Sequence, residues 1–246
     1  MSLLDAVVGL ADDALVLGHR LSEWCGRAPF LEEDLAIANT ALDLLGRART
    51  LYGYAETLGG RNEDEYAFLR DAPEFRNLLI YELPGDDFAA ACARQFLVDV
   101  FDDLYLTELA ASRDETLAEL GAKCGKESTW HRRHSGEWLN RLGDGTAESH
   151  ERMQRALEGV WGYHLELFET GPGETRLVAS GVLPDRGALE RRWSAAVHEA
   201  IRSATLDVPS NGRRVAGGRA GEHTEHLGIM LAEMQQLPRA CPGANW

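Results

Sequence analysis

Residues 126–134, KESTWHRRH, contain a carboxylate and an imidazole at a spacing that could bind a metal ion. In helical bundles that activate oxygen with two irons, a Glu-x-x-His pair points both ligands to the same side of a helix. Carboxylates and imidazoles are ligands that suit iron. Here His131 follows Glu127 by four residues, and Trp130, which cannot bind iron, stands at the third position. The sequence leaves two interpretations open: a remnant of a metal site, or a buried Glu–His hydrogen bond.

The helices that would supply the other ligands offer only short acids at the candidate ligand positions. The second helix has Asp43-x-x-Gly46, so glycine stands where a histidine is needed. Asp13 on the first helix, and Asp99 or Asp103 on the third, lie at a suitable depth. Aspartate is one methylene shorter than glutamate, so helices spaced for glutamate would leave it short of the metals. We therefore expect no catalytic, cofactor-binding or metal-binding residue in this chain, and interpret five positions as degenerate ligands: Asp13, Asp43, Asp99, Glu127 and His131.

The motif EHTEH at 222–226 places two histidines on one helical turn, with glutamates beside them. Two histidines are too few for a metal site, and no third ligand is evident. Acidic residues in the first turn of a helix interact favourably with the positive end of the helix dipole. We interpret the motif as a hydrogen-bonded helix start, with a role in docking as the main alternative.

Helical periodicity dominates the chain, and no segment alternates as a strand would. The second predicted helix has one apolar face, whereas the third is apolar nearly all round and should be central in a bundle. Residues 60–86 and 208–221 are predicted to be irregular, apart from a short helical piece at 66–69. The predicted helices are 4–25, 31–58, 87–112, 115–142, 147–169, 185–204 and 222–237.

Composition bounds the class of protein. The chain has 246 residues, is 44% hydrophobic and has a net charge of −15, which argues against non-specific nucleic-acid binding. The acidity lies in residues 1–120, with 24 acids against 9 bases. This half could offer an acidic face to a basic partner, or could simply be a solvated surface. Four scattered cysteines, no basic leader and no apolar run of membrane length favour reduced thiols and a cytoplasmic protein that does not enter membranes.

Four stretches resemble a known family. They are RLSEWCGRAPFLEEDLAIANTALDLLGRAR (20–49), FRNLLIYELP (75–84), ARQFLVD (93–99) and GEHTEHLGIMLAEMQQLPRACPGANW (221–246). They are similar to the C subunits of bacterial ring-1,2-phenylacetyl-CoA epoxidases, and the likeness runs from about residue 10 to the end of the chain.

The resemblance implies an all-α, ferritin-like fold, and we expect one domain over residues 1–246 with helices added to a four-helix bundle. It also implies that this chain lacks a cofactor and pairs with a homologous catalytic subunit, which holds the di-iron centre, in a heterotetramer or larger assembly. The implied system is completed by a reductase with FAD and a 2Fe-2S cluster, fed by NADPH, and by a small bridging subunit. Such systems add one oxygen atom to the ring of phenylacetyl-CoA.

We therefore expect a non-catalytic subunit that supports a di-iron monooxygenase. Two alternatives stay open: an active oxygenase with an unusual carboxylate-rich site, and a module that binds the CoA substrate. Self-association into a dimer is also left open.

Overall fold

The computed structural model describes residues 2–171, 173–210 and 212–244. Within these ranges the chain is helical and no residue is in a strand, so the predicted all-α class is confirmed. Short 3₁₀ segments cover Ala72–Glu74, Trp161–Phe168 and Gly218–Ala220. The α-helices are α1 Leu3–Ser22, α2 Leu31–Thr57, α3 Glu63–Phe68, α4 Leu79–Glu82, α5 Phe88–Leu109, α6 Glu115–Gly143, α7 Ala147–Val160, α8 Thr175–Ala179, α9 Arg186–Ser203 and α10 Glu225–Ala240.

The chain divides into two compact units. The first contains residues 1–83 and 217–246, and the second contains residues 84–216. The expectation of one domain over residues 1–246 stays a prediction. No helix in the described ranges is both long enough and apolar enough to cross a bilayer.

The first unit is built on the pairing of α1 with α2. A capping box starts α1, because the Ser2 hydroxyl accepts from the Asp5 amide and the Asp5 carboxylate accepts from the Ser2 amide. Gly18 of α1 leaves room for Leu45 of α2, since a Cβ at Gly18 would lie 3.1 Å from Leu45 Cδ2. Asp12, earlier on α1, accepts a hydrogen bond from the Tyr52 hydroxyl, later on α2. The two helices therefore run antiparallel, as their short connection predicts.

The second unit surrounds α5, which is buried on most sides as its apolar pattern predicts. Helices α6, α7 and α9 pack against it. Trp193 of α9 is fully buried and donates from Nε1 to the Leu97 carbonyl of α5 at 3.0 Å. This bond satisfies the only polar atom that the indole brings into the core.

Several predicted boundaries are wrong. The helix expected at 147–169 ends at Val160 and continues as a 3₁₀ segment, in which the Gly162 carbonyl also accepts from the Val215 amide. Helix α10 begins at Glu225 and runs to Ala240, later at both ends than expected. Helices α4 and α8 are too short to show a period, and the sequence did not predict them.

Candidate metal centre and buried polar clusters

Asp13, the predicted ligand on α1, is buried and bonded to an arginine from the other end of the chain. Arg219 reaches Asp13 Oδ2 from Nη2 at 2.5 Å and Oδ1 from Nη1 at 3.0 Å. The Leu78 amide also donates to Oδ1, at 2.8 Å. Arg219 further donates to the Gly9 and Arg76 carbonyls. Both carboxylate oxygens of Asp13 therefore accept from protein donors, which ties the 217–221 segment to α1.

Asp12, the residue beside it, forms a second buried cluster that the sequence did not predict. Its oxygens accept from Arg70 at 2.5 and 3.0 Å, from the Tyr52 hydroxyl at 2.6 Å and from the Arg76 amide at 2.8 Å. The Arg70 guanidinium also lies over the Phe75 ring, 4.1 Å from its centroid. Burial opposes the charge of Arg70, but the Asp12 carboxylate outweighs this and raises the pKa of the guanidinium.

The EHTEH motif is anchored by Glu82 of α4. His223 Nδ1 lies 2.8 Å from Glu82 Oε2, and His223 Nε2 lies 3.0 Å from the Phe75 carbonyl. The Thr224 amide donates to Glu82 Oε1 at 2.6 Å, next to the start of α10. The motif is hydrogen-bonded as expected, but its bonds go to Glu82 of α4, and Thr224, the N-cap of α10, makes no capping bond with its own side chain.

His223 faces an acceptor at each ring nitrogen, so the doubly protonated ring satisfies both contacts. Burial opposes the imidazolium charge. The hydrogen bonds to Glu82 and to the Phe75 carbonyl outweigh that effect, with further help from the charge of Asp12, and raise the pKa of His223. Its side chain is 4% exposed. The raised pKa and the two acceptors favour the protonated ring, and the bond to Glu82 joins the start of α10 to α4.

Asp43 and Gly46 of α2 do not form half of a ligand motif. Asp43 is half-buried, and Gly46 is exposed with no atom within 4 Å of where its Cβ would lie. A histidine at this position would therefore face open space and not a packed core.

Asp99 of α5 is buried in the second unit. Gln95, one turn earlier, donates from Nε2 to Asp99 Oδ1 at 2.7 Å, and the Ser135 hydroxyl of α6 also faces the carboxyl. Burial raises the pKa of Asp99 to about 7, and the Ser135 and Gln95 contacts only partly counter this effect. A metal ligand must be ionised, so metal binding at Asp99 would have to displace a proton near neutral pH.

The two positions on α6 differ in burial. His131 is buried and Glu127 is half-buried, so the Glu–His pair stays a prediction. Trp130, in the place of the missing histidine, is exposed and stacks on His134 with ring centroids 5.1 Å apart.

The five predicted ligand positions are divided between the units. Asp13 and Asp43 belong to the first unit, and Asp99, Glu127 and His131 belong to the second. Across residues 2–171, 173–210 and 212–244, no three His, Cys, Asp or Glu side chains are grouped so that they could hold a metal ion. At Asp13 the structure shows an ion pair with Arg219, and at Asp99 a hydrogen bond from Gln95, each within its own unit.

Comparison with known proteins gives the family. The family model described as phenylacetic acid catabolic protein matches residues 1–246, so the chain belongs to that family, and its fold is ferritin-like. The chain is 47% identical over 238 residues to the C subunit of 1,2-phenylacetyl-CoA epoxidase from Escherichia coli (strain K12), with 96% of each chain covered. It is 27% identical over 151 residues to the A subunit of the same enzyme, an alignment that covers 61% of this chain and 48% of that relative.

Proposed function

We propose that this chain is the structural subunit of a multicomponent phenylacetyl-CoA epoxidase. The observation that carries the proposal is the 47% identity to the C subunit of the E. coli enzyme, which extends over 96% of both chains. Similarity to the A subunit of the same enzyme supports a partner that is a homologue of this chain. The proposed role is to pack against that partner and keep its metal-bearing helices in register.

The side chains in both units support a role without chemistry. In the first unit Arg219 and the Leu78 amide bond the Asp13 carboxylate, and Gly46 cannot ligate. In the second unit Trp130 cannot ligate, and Asp99 is buried in a way that favours its neutral form. These residues do not fit a di-iron centre, which needs about four carboxylates and two histidines facing one another. The proposal therefore assigns the two irons to the homologous partner, and FAD, the 2Fe-2S cluster and NADPH to the reductase.

Reconstitution tests this proposal. The partner, a homologue of the E. coli A subunit, is purified alone and with this chain, and phenylacetyl-CoA turnover is measured with the reductase and NADPH. We expect a stable complex of the two chains and turnover that requires both. Full turnover by the partner alone, or no complex between the chains, would remove the basis for a supporting role.

The same purified proteins distinguish the proposed function from its two alternatives, an active oxygenase and a substrate-binding module. An oxygenase in this chain alone would turn over phenylacetyl-CoA with the reductase but without the partner. A substrate-binding module would bind phenylacetyl-CoA in isolation, which calorimetry on the purified chain measures directly. We expect neither.

A further inference from the structure

Helix α2 has a second apolar face, on the side away from its buried residues. Those buried residues, such as Leu44 and Leu51, pack into the first unit. Leu31, Leu35 and Leu42 lie on roughly the opposite side of the helix and are 71%, 56% and 65% exposed. Single exposed leucines are ordinary on protein surfaces, but three on one face of one helix form a stripe that exposes apolar area in a line.

The spacing of the stripe is that of a helix–helix seam. Starting at Leu31, apolar residues follow at steps of four, three, four and three, reaching Leu35, Ala38, Leu42 and Leu45. Ala38 and Leu45 are half-buried, and Leu45 also contacts α1 at Gly18. Alternating steps of three and four are the seam of coiled coils, in which a second helix runs along the first at a shallow angle. The stripe therefore has the spacing needed to pack along another helix.

The charges beside the stripe are acidic, and the first basic residue on the same face is Arg49, one turn beyond Leu45, which pairs with Glu63. Residues 31–46 contain four acids and no lysine or arginine. Glu32 and Asp34 lie near the start of the stripe, and Asp43 lies near its end. Because acids lie at both ends, pairing with the same helix of a second copy would bring like charges together in either direction. A helix whose apolar stripe is flanked by lysine or arginine would complement both the exposed leucines and the acidic residues beside them.

We propose that the stripe of Leu31, Leu35, Ala38, Leu42 and Leu45 docks a helix of the homologous partner, an amphipathic helix with basic residues beside its apolar stripe. The inference rests on the proposed function, because it takes the partner from there and assigns the surface on this chain. Large permanent interfaces have an apolar centre and a polar rim, and the stripe supplies the centre with acidic residues at its edge.

The test is a double substitution on the exposed leucines. Leu35→Gln combined with Leu42→Gln keeps good helix formers at exposed positions, so α2 should still fold. The matched control is Ile229→Gln combined with Leu237→Gln on α10, where the side chains are 59% and 53% exposed. Affinity for the purified partner is measured by titration, and thermal unfolding of each free chain checks that the variants fold. We expect the stripe variant to bind about tenfold more weakly or worse, and the control to bind within about twofold of the wild type.

A second arm tests the charges. Glu32→Gln should slow association with the partner and flatten its dependence on salt, since an acidic edge that faces basic residues steers encounter at low ionic strength. Glu119→Gln, a matched change at an exposed acid in the other unit, should leave both quantities unchanged. Equal association rates and salt slopes in the two variants would contradict a basic partner surface at the stripe.

The outcomes separate this inference from the function on which it rests. If the wild-type chain does not bind the partner, the proposed function fails. If it binds and the stripe variant binds equally well, the function stands and the docking surface is wrong. If sedimentation shows that the isolated wild-type chain is a dimer and the stripe variant a monomer, the stripe joins two copies, which also contradicts the inference.

Discussion

At the scale of residues, two adjacent carboxylates on α1 have a structural role. Asp12 and Asp13 are both buried, and each is neutralised by an arginine that comes from a different part of the chain. Arg70 is 58 residues from Asp12, and Arg219 is 206 residues from Asp13. No helical period connects such distant positions, so the sequence pattern could identify Asp13 as an inward acid but could not give its partner.

Breaking the Asp12 cluster should strongly destabilise the chain. Asp12→Asn leaves the Arg70 guanidinium buried without its counter-charge, and such losses typically cost about 3–5 kcal/mol. Urea unfolding of the wild type and the variant measures the difference. Arg49→Met, which removes an exposed pair with Glu63, is the control and should cost little. Equal, small effects of the two changes would show that the buried cluster is not important for stability.

His223 should make stability depend on pH. Its pKa is raised in the folded chain, so its contribution is fully present below the unfolded pKa of about 6.5 and is lost as pH rises through the folded value. We expect the wild type to lose stability relative to His223→Gln as pH rises from about 6 to about 8. Urea unfolding at several pH values within this range gives the comparison.

The control for this pH dependence is His226→Gln, three residues later in the same motif. It should keep the wild-type slope, because the bond between the His223 ring and Glu82 remains. A slope that persists unchanged in His223→Gln would place the titrating group elsewhere.

Glu127 gives a prediction about catalysis. If the chain supports a catalytic partner and holds no metal itself, Glu127→Gln should leave turnover of the assembled complex within a few fold while altering stability or assembly. Because Glu127 is half-buried, we expect the effect on unfolding to be small. Steady-state turnover is measured at matched concentrations of assembled complex. If turnover fell by several orders of magnitude while the complex stayed intact, Glu127 would be a metal ligand after all.

At the scale of elements, the long helices could be predicted because each has a clear apolar period. The ends of α1, α2, α5, α6 and α9 lie within three residues of their predicted positions. The elements that were missed depend on tertiary contacts. The Gly162 carbonyl bonds Val215, which is 53 positions away, and α4 has only four residues, so no local pattern could reveal either.

The sequence also predicted only one face of α2. Periodicity identifies apolar residues that share a face, but it does not say whether the same chain covers them. Leu44 and Leu51 are buried, whereas Leu35 and Leu42 are exposed, although all four are leucines on one helix. The candidate site shows the same limit: the inward acid Asp13 could be predicted from the pattern, but its arginine partner could not.

The contact between α5 and α6 depends on a glycine. A Cβ at Gly121 of α6 would lie 2.5 Å from the Ala110 amide nitrogen and 2.8 Å from the Leu109 carbonyl carbon, and backbone atoms cannot move aside cheaply. We expect Gly121→Ala to destabilise the chain by about 1–3 kcal/mol. Gly125→Ala, one turn later with its nearest neighbour at 3.9 Å, should instead stabilise by up to about 1 kcal/mol through helix propensity. Thermal unfolding of both variants measures the difference, and equal effects would contradict close packing at Gly121.

At the scale of the whole molecule, the charge distribution fits a member of a larger assembly. All of the net charge of −15 lies within residues 1–120, and the remaining residues carry 16 acids and 16 bases. The proposed docking stripe lies in this acidic half. A basic partner surface would explain both the asymmetry and the acidic residues beside the stripe, and attraction of this kind weakens as salt rises.

The central claim is that the metal-dependent chemistry belongs to the partner and not to this chain. The most direct measurement is the iron content of each polypeptide after the active complex is assembled and its chains are separated without chelators. The account predicts that the iron stays with the homologous partner and that this chain carries only background iron. About two irons per copy of this chain would contradict it.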